Sequence, residues 1–298
     1  MSVHKTVLLQ ETIDGLHLRN KSIIVDSTFG GGGHSAEICK KFPNTKIIAL
    51  DQDESVFAKK EKFKDCNISF HNENFRNIDK VLEREGVSEV DGIIFDLGLS
   101  SDQLENSGRG FSFMKDEPLF MTMKDIKDNL PLPEDVTAHD VVNTWSEKSL
   151  ADIIYGYGEE KFSKRIAKGI VEARAKQKIQ TTFDLVKIIN DVVPAVYRRG
   201  RLHFATRTFQ AIRIAVNDEL GALSEGLEKG FKILKKGGRV AVISFHSLED
   251  RVVKRFYKAK VIEGRAKLIN KKVILGSSNE IKNNPRARSA KLRILEKI

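Results

Sequence analysis

The sequence predicts an α/β fold in which a parallel sheet is interrupted by a long helical insertion. Three observations carry that expectation. Short β-branched apolar runs alternate with helical stretches through about residue 100. From roughly Glu105 to Gln210 no convincing strand follows. The α/β pattern then resumes, with an apolar strand at residues 239–245.

Each element has its own signal. Residues 22–25 (SIIV) form a buried strand, followed by the glycine loop DSTFGGGGHS at 26–35 and a helix start through Cys39. Further strands are expected at 46–50, 67–70 and 91–96, with helices over 55–63 and 78–85 between them. The middle segment opens with a Gly- and Ser-rich loop at 107–113 and passes Pro118, Pro131 and Pro133 before turning helical. Phe162, Ile166 and Ile170 share one helical face. Leu185, Ile188, Ile189, Val192 and Val193 share another, with Thr181 or Thr182 as N-cap and Pro194 as the stop. A stripe of Val216, Leu220, Leu223, Leu227, Phe231 and Leu234 marks the next helix, which Lys236, Gly237 and Gly238 should close. Two last strands are read at 272–275 and 291–295. The expected division is therefore a core at 1–104, a helical insertion at 105–210 lying over the carboxyl ends of the strands, and the rest of the core at 211–298.

Strand, glycine loop and helix together let backbone approach a ligand at a helix N-terminus. A tight turn alone would explain one or two glycines through their tolerance of positive φ, whereas four in a row favour a ligand. Gly31, Gly33 and Ala36 fit a dinucleotide fingerprint, and Asp51 follows at the end of the second strand, where a ribose-binding acid belongs. That geometry serves NAD and S-adenosylmethionine alike. Five parallel strands closed by a terminal pair tilt the choice towards the methyl donor.

Composition narrows the class. The 298 residues suffice for a full α/β core and a second smaller unit. No apolar run is long enough to span a membrane, and the start lacks the form of a signal peptide. Cys39 and Cys66 show no CxxC spacing, which suggests reduced thiols and a cytoplasmic protein. The seven histidines lack metal-site pairing, so no metal is expected. Lys and Arg exceed Asp and Glu by 51 to 41. The excess gathers around 197–213, 251–258 and 286–293, interleaved with aromatics, and the three clusters together suggest a nucleic-acid partner, although any single one reads better as a solvated helix face.

Longer blocks run in order along the chain: HKTVLLQE at 4–11, the glycine loop, DGIIFDLG at 91–98, SSDQL at 100–104, RGFSF at 109–113, YGEE at 157–160, ATRTFQA at 205–211, SFHSLEDR at 244–251 and NPRARSAKLR at 284–293. Together they resemble the bacterial small-subunit ribosomal RNA cytosine-N4 methyltransferases, the MraW-type family. The resemblance implies a Rossmann-like S-adenosylmethionine-dependent methyltransferase sheet with an inserted helical domain. It also implies methylation of a cytidine in the decoding region of 16S ribosomal RNA, within the small ribosomal subunit. The family's cofactor contacts fall on Gly32, Gly33, His34, Asp51, Phe75, Asp96 and Gln103. Asp96 is then the candidate acceptor for an amine N–H, and His246 the candidate residue facing the target nucleotide. Arg109, Arg207, Arg251, Lys254, Arg286 and Arg288 are the candidate RNA contacts. Bland readings stand beside these: Phe75 as core, Asp96 as a loop cap, His246 as a strand-to-helix cap. A homodimer is left open. One block departs from the family, whose PLDMRM is here PLFMTM at 118–123, so Phe120 and Thr122 replace an acid and an arginine. Two competing readings follow: an RNA-binding assembly factor without turnover, and an NAD-dependent oxidoreductase.

Overall fold

The computed structural model describes residues 5–100, 103–104, 106–124, 130–132 and 135–298. His4, Ser101, Glu105 and Pro133, used above as motif, turn or boundary positions, lie outside the described residues. Contacts divide the chain into two compact units, Met1–Gly98 with Leu220–Ile298, and Leu99–Glu219.

The first unit is built on one seven-stranded sheet in the order β3-β2-β1-β4-β5-β7-β6. Its strands are β1 (Ile23–Asp26), β2 (Lys46–Asp51), β3 (Ile68–Asn72), β4 (Val90–Asp96), β5 (Leu234–Ser244), β6 (Ala266–Leu268) and β7 (Lys291–Lys297). The first five pair in parallel, while β7 runs antiparallel to both β5 and β6. Five parallel strands with a terminal pair are thus as the sequence led us to expect. The strand expected at 272–275 is reduced to one bridge, Ile274 to Leu292, and the edge position goes to β6 instead.

The strands are near-continuous apolar runs because both faces of the sheet are covered by helices. On one face Val25, Ile48, Phe95 and Val242 pack under Leu82 of α3 (Ile78–Arg84), Phe231 of α10 (Glu219–Ile233) and Tyr257 of α11 (Ser247–Ile262). On the other, Ile24, Ile47, Ile94 and Ile243 meet Ile13 of α1 (Leu9–Leu16) and Ile38 of α2 (Gly33–Lys41). The segment expected as a helix over 55–63 is 3₁₀ in form, Glu54–Phe63, started by the Asp53 side chain.

Two local expectations are corrected. Val216 does not belong to the stripe of α10, because Asp218 takes a left-handed conformation (φ 46°) and ends the preceding helix. Nor do the glycines at 237 and 238 close α10; it stops at Ile233 and the chain passes straight into β5. A third correction concerns the cysteines. Cys39 on α2 and Cys66 before β3 are joined in a disulfide, with Cα atoms 5.7 Å apart, although 27 residues separate them in sequence. Pairing of β1 with β2 and of β2 with β3 brings the two segments together, which no sequence spacing reveals.

The second unit is helical, with no strand among its described residues. It contains α4 (Ala138–Thr144), α5 (Glu147–Gly156), α6 (Ser163–Arg174), α7 (Thr182–Val192), α8 (Ala195–Arg198) and α9 (Thr206–Asn217). Thr181 is the N-cap of α7, in a reciprocal box with Asp184, and Pro194 precedes the next helix. Phe209, Ala211 and Ile212 place α9 in this unit's core with Ile166, Ile170 and Leu185, so the unit extends beyond residue 210. No helix of the described residues is long and apolar enough to cross a membrane.

Tyr257 ties α11 to the sheet. Its ring is buried and its hydroxyl donates to the Val240 carbonyl at 3.0 Å. Tyr257→Phe should therefore cost about 1 kcal/mol and Tyr257→Ala about 3–5 kcal/mol in urea denaturation. Equal losses for the two would mean that packing around the ring contributes little.

Candidate active site

Parallel pairing sets the site. Asp26 ends β1 and pairs in register with Ala49 of β2 and Ile94 of β4, so Asp51 and Asp96, the last residues of those strands, project just beyond it. Here the sheet order turns from β2 on one side of β1 to β4 on the other, the crevice where ligands bind in open α/β sheets.

Three acids thus crowd one edge. Burial pushes Asp26 up to about 6, against the pull of a 2.6 Å hydrogen bond from Ser35 Oγ. Burial likewise raises Asp51 to about 7, although it accepts from the backbone N–H groups of Gly30 (2.9 Å) and Asp53 (3.0 Å). Asp96 rises furthest, to about 8, through burial and the charges of Asp26 and Glu249, while the Arg286 guanidinium pulls it down. Oδ1 of Asp96 and Oδ1 of Asp26 accept no hydrogen bond among the described residues. Asp96 Oδ2 lies 3.7 Å from Nδ1 of the buried His34.

The glycine loop has local causes of its own. Gly32 has φ 71° and caps α2, and a Cβ on Gly33 would fall 1.7 Å from Thr6 Oγ1. The protein's own packing therefore demands these two glycines, beyond any ligand. Asp26 and Ser35 were missed as site residues, although both lie within DSTFGGGGHS. The signal was positional: an acid closing a buried strand directly before the loop.

The other candidates fall as follows. Phe75 is half-buried, edge-on to Phe95 at 5.5 Å, and packs on the sheet core. Gln103 is buried in the helical unit, where its Oε1 accepts from the Ser100 N–H at 3.0 Å. His246 is the N-cap of α11: Nδ1 accepts from Glu249 N at 3.4 Å and Nε2 lies 3.1 Å from Glu249 Oε1. Arg109, expected on RNA, is instead buried, over the Phe111 ring, donating to the backbone carbonyl of Lys124 at 3.1 Å. Thr122 is buried beside it. Arg207 is half-buried and reaches the Glu159 carbonyl at 3.4 Å. Arg251, Lys254 and Arg288 are exposed, and Arg255 and Lys258 extend the first two into one face of α11.

The chain belongs to the MraW methylase family. The match covers residues 1–298. A protein of Clostridium botulinum named ribosomal RNA small subunit methyltransferase H is 46% identical over 313 residues, covering 99% of each chain. The protein of that name in Limosilactobacillus fermentum is 44% identical over 315 residues, covering 99% of this chain and 98% of its own.

Two outcomes test the site of this family member. The raised acids have folded values above the unfolded value of 3.8, so the stability they contribute is complete below that value and is lost as pH rises through about 6 to 8. The lowered carboxylates Asp250 and Glu296 act in the opposite sense, but their stability is lost only as pH falls into the acid range, outside that window. The free chain should accordingly unfold more readily at about pH 8.5 than at about pH 5.5, and Asp96→Asn should narrow that gap by about 1–2 kcal/mol in denaturant titrations. An unchanged gap would remove Asp96 from the set of raised acids. For His246, loss of the cap in His246→Ala should cost about 1 kcal/mol, and His246→Asn should recover most of it. If the asparagine variant folds normally yet turns over slowly, the ring does more than cap the helix.

Proposed function

We propose that this chain transfers a methyl group from S-adenosylmethionine to N4 of a cytidine in the decoding region of 16S ribosomal RNA, acting on the small ribosomal subunit in the cytoplasm. The observation that carries the reading is the crowding of Asp26, Asp51 and Asp96 around the glycine loop. Acids held above their ordinary range gain most from a ligand that brings positive charge, as a sulfonium does. A nicotinamide dinucleotide would instead bring its pyrophosphate among three carboxyls, which disfavours the oxidoreductase reading.

The residues fit the methyl donor. Gly32, Gly33 and His34 would hold its methionine portion. Each Asp51 oxygen accepts one backbone N–H, which leaves lone pairs for two ribose hydroxyls. Phe75 would lie against adenine. When bound, the donor supplies an electrophilic methyl on a positively charged sulfur.

The chain must then present a poor nucleophile, because the cytosine amine's lone pair is delocalised into the ring. Asp96 Oδ1, with no hydrogen bond of its own among the described residues, is the acceptor proposed for the amine N–H. Accepting that bond helps the nitrogen become pyramidal and fixes its direction, and orientation supplies much of the acceleration. A strong base is unnecessary, since the nitrogen becomes acidic only once methylated. The target base must leave any stack to reach this crevice. Support for RNA as substrate comes from the names of the relatives, the net charge of +10 and the exposed cations of α11 and Arg288.

Incubation with S-adenosylmethionine and unmodified small subunits, followed by nucleoside mass spectrometry, should yield N4-methylcytidine. Asp51→Ala should lower the yield at least about tenfold at limiting methyl donor. Tight binding of subunits without any new methyl group would favour the assembly-factor reading.

A further inference from the structure

The helical unit contains a cavity of about 370 Å³, a size suited to a small ligand. Phe162 and Tyr197 line it, with Lys161, Arg201 and Arg207 among its other walls and no carboxylate residue in the lining. We propose that this cavity seats one unstacked nucleotide of the substrate RNA, other than the methylated cytidine. The proposal rests on the chain acting on RNA.

Four features support it. The Lys161 ammonium lies over both rings, 5.1 Å from the Phe162 centroid and 5.4 Å from that of Tyr197. Both rings pack against the helical unit's core, yet they also meet this exposed cation rather than being enclosed on every side. A base can stack there in place of the exposed Lys161 side chain, which then reaches the nucleotide's phosphate.

Apolar exposure is the second feature. Val196 is 85% exposed and Leu202 51% exposed, both in the lining. Neither helps bury the unit's core, and together they offer an apolar edge to a base.

Third, the walls stand without a ligand. The Tyr197 hydroxyl donates to the fully buried Glu160 carboxylate, which also accepts from Phe162 N at 2.8 Å. His203 stacks on Phe113 (4.5 Å, 5° between planes) and on Phe204 (4.3 Å), anchoring the turn that carries Arg201 and Leu202. A preformed wall spares the ordering cost that weakens binding.

Charge is the fourth. Three cations around an aromatic floor match a phosphate joined to a base, the combination by which single-stranded nucleic acid is held. An apolar protein segment would satisfy the apolar edge but leave the cations without anionic partners.

The test uses the full chain and a short single-stranded RNA containing the target cytidine, with 4-thiouridine at neighbouring positions. Photocrosslinking should attach the RNA to peptides covering residues 161–162 and 196–207. Lys161→Glu and Arg201→Glu should each weaken RNA binding about tenfold by fluorescence anisotropy. Lys148→Glu, the same charge change at a residue 87% exposed on α5, should cost less than about twofold. Crosslinks confined to other peptides, with both pocket variants no weaker than Lys148→Glu, would overturn the proposal. So would crosslinking of the pocket in small subunits to a ribosomal protein rather than to RNA. If the pocket crosslinks to RNA while the wild-type chain transfers no methyl group, the nucleotide site stands and the proposed function fails.

Discussion

Three neighbouring parallel strands end in aspartates, and the surrounding structure answers the repulsion this creates. Carboxyls on adjacent strand ends would repel strongly if all were ionised, since strands lie only about 5 Å apart. The fold moderates this with backbone N–H groups on Asp51, the Ser35 hydroxyl on Asp26 and the Arg286 guanidinium beside Asp96. These hydrogen bonds and the charge of Arg286 do not cancel the burial, so the acids stay above their ordinary range. The free site is accordingly poised to gain ionisation when positive charge arrives.

Segments far apart in the sequence meet beside this site. Thr6 packs against Gly33, and the Leu8 N–H donates to Glu280 at 2.7 Å. Asn284 Nδ2 donates to the Lys5 carbonyl at 2.9 Å, and the 3₁₀ turn Pro285–Arg288 follows at once, carrying Arg286. The glycine loop is therefore braced by segments more than 270 residues apart in sequence. Its geometry depends on completion of the whole first unit, whose two halves the helical unit separates in sequence.

The sheet was legible because its signals are local. Runs such as IIVD and KIIALD, buried on both faces, carry their strand character in a few residues, and the acid at the end of each is visible in the same run. Roles that depend on distant partners were not. Arg109 and Arg251 are the same residue type, yet one is buried over Phe111 and the other lies exposed on α11. Cys39 and Cys66 meet only because the β1–β2–β3 pairing juxtaposes their segments. The apolar stripe through Val216 looked continuous because periodicity does not register the left-handed turn at Asp218.

Arg286 shows why counting charge locates a partner only coarsely. It belongs by sequence to the basic C-terminal cluster, where Arg288 is exposed. Two residues away, Arg286 is half-buried, and its charge lowers the pKa of Asp96. A 3₁₀ turn separates neighbouring side chains widely in direction, so alternate positions of one basic run face different surroundings. The same turn thus lets the charge of one cation reach the acid proposed to receive the amine N–H and leaves another, Arg288, exposed. Arg286 favours the ionised form of Asp96, the better acceptor, while burial and the neighbouring carboxylates oppose it. The acceptor strength of Asp96 is therefore set by a balance among groups from β1, α11 and the C-terminal turn, not by the strand that carries it.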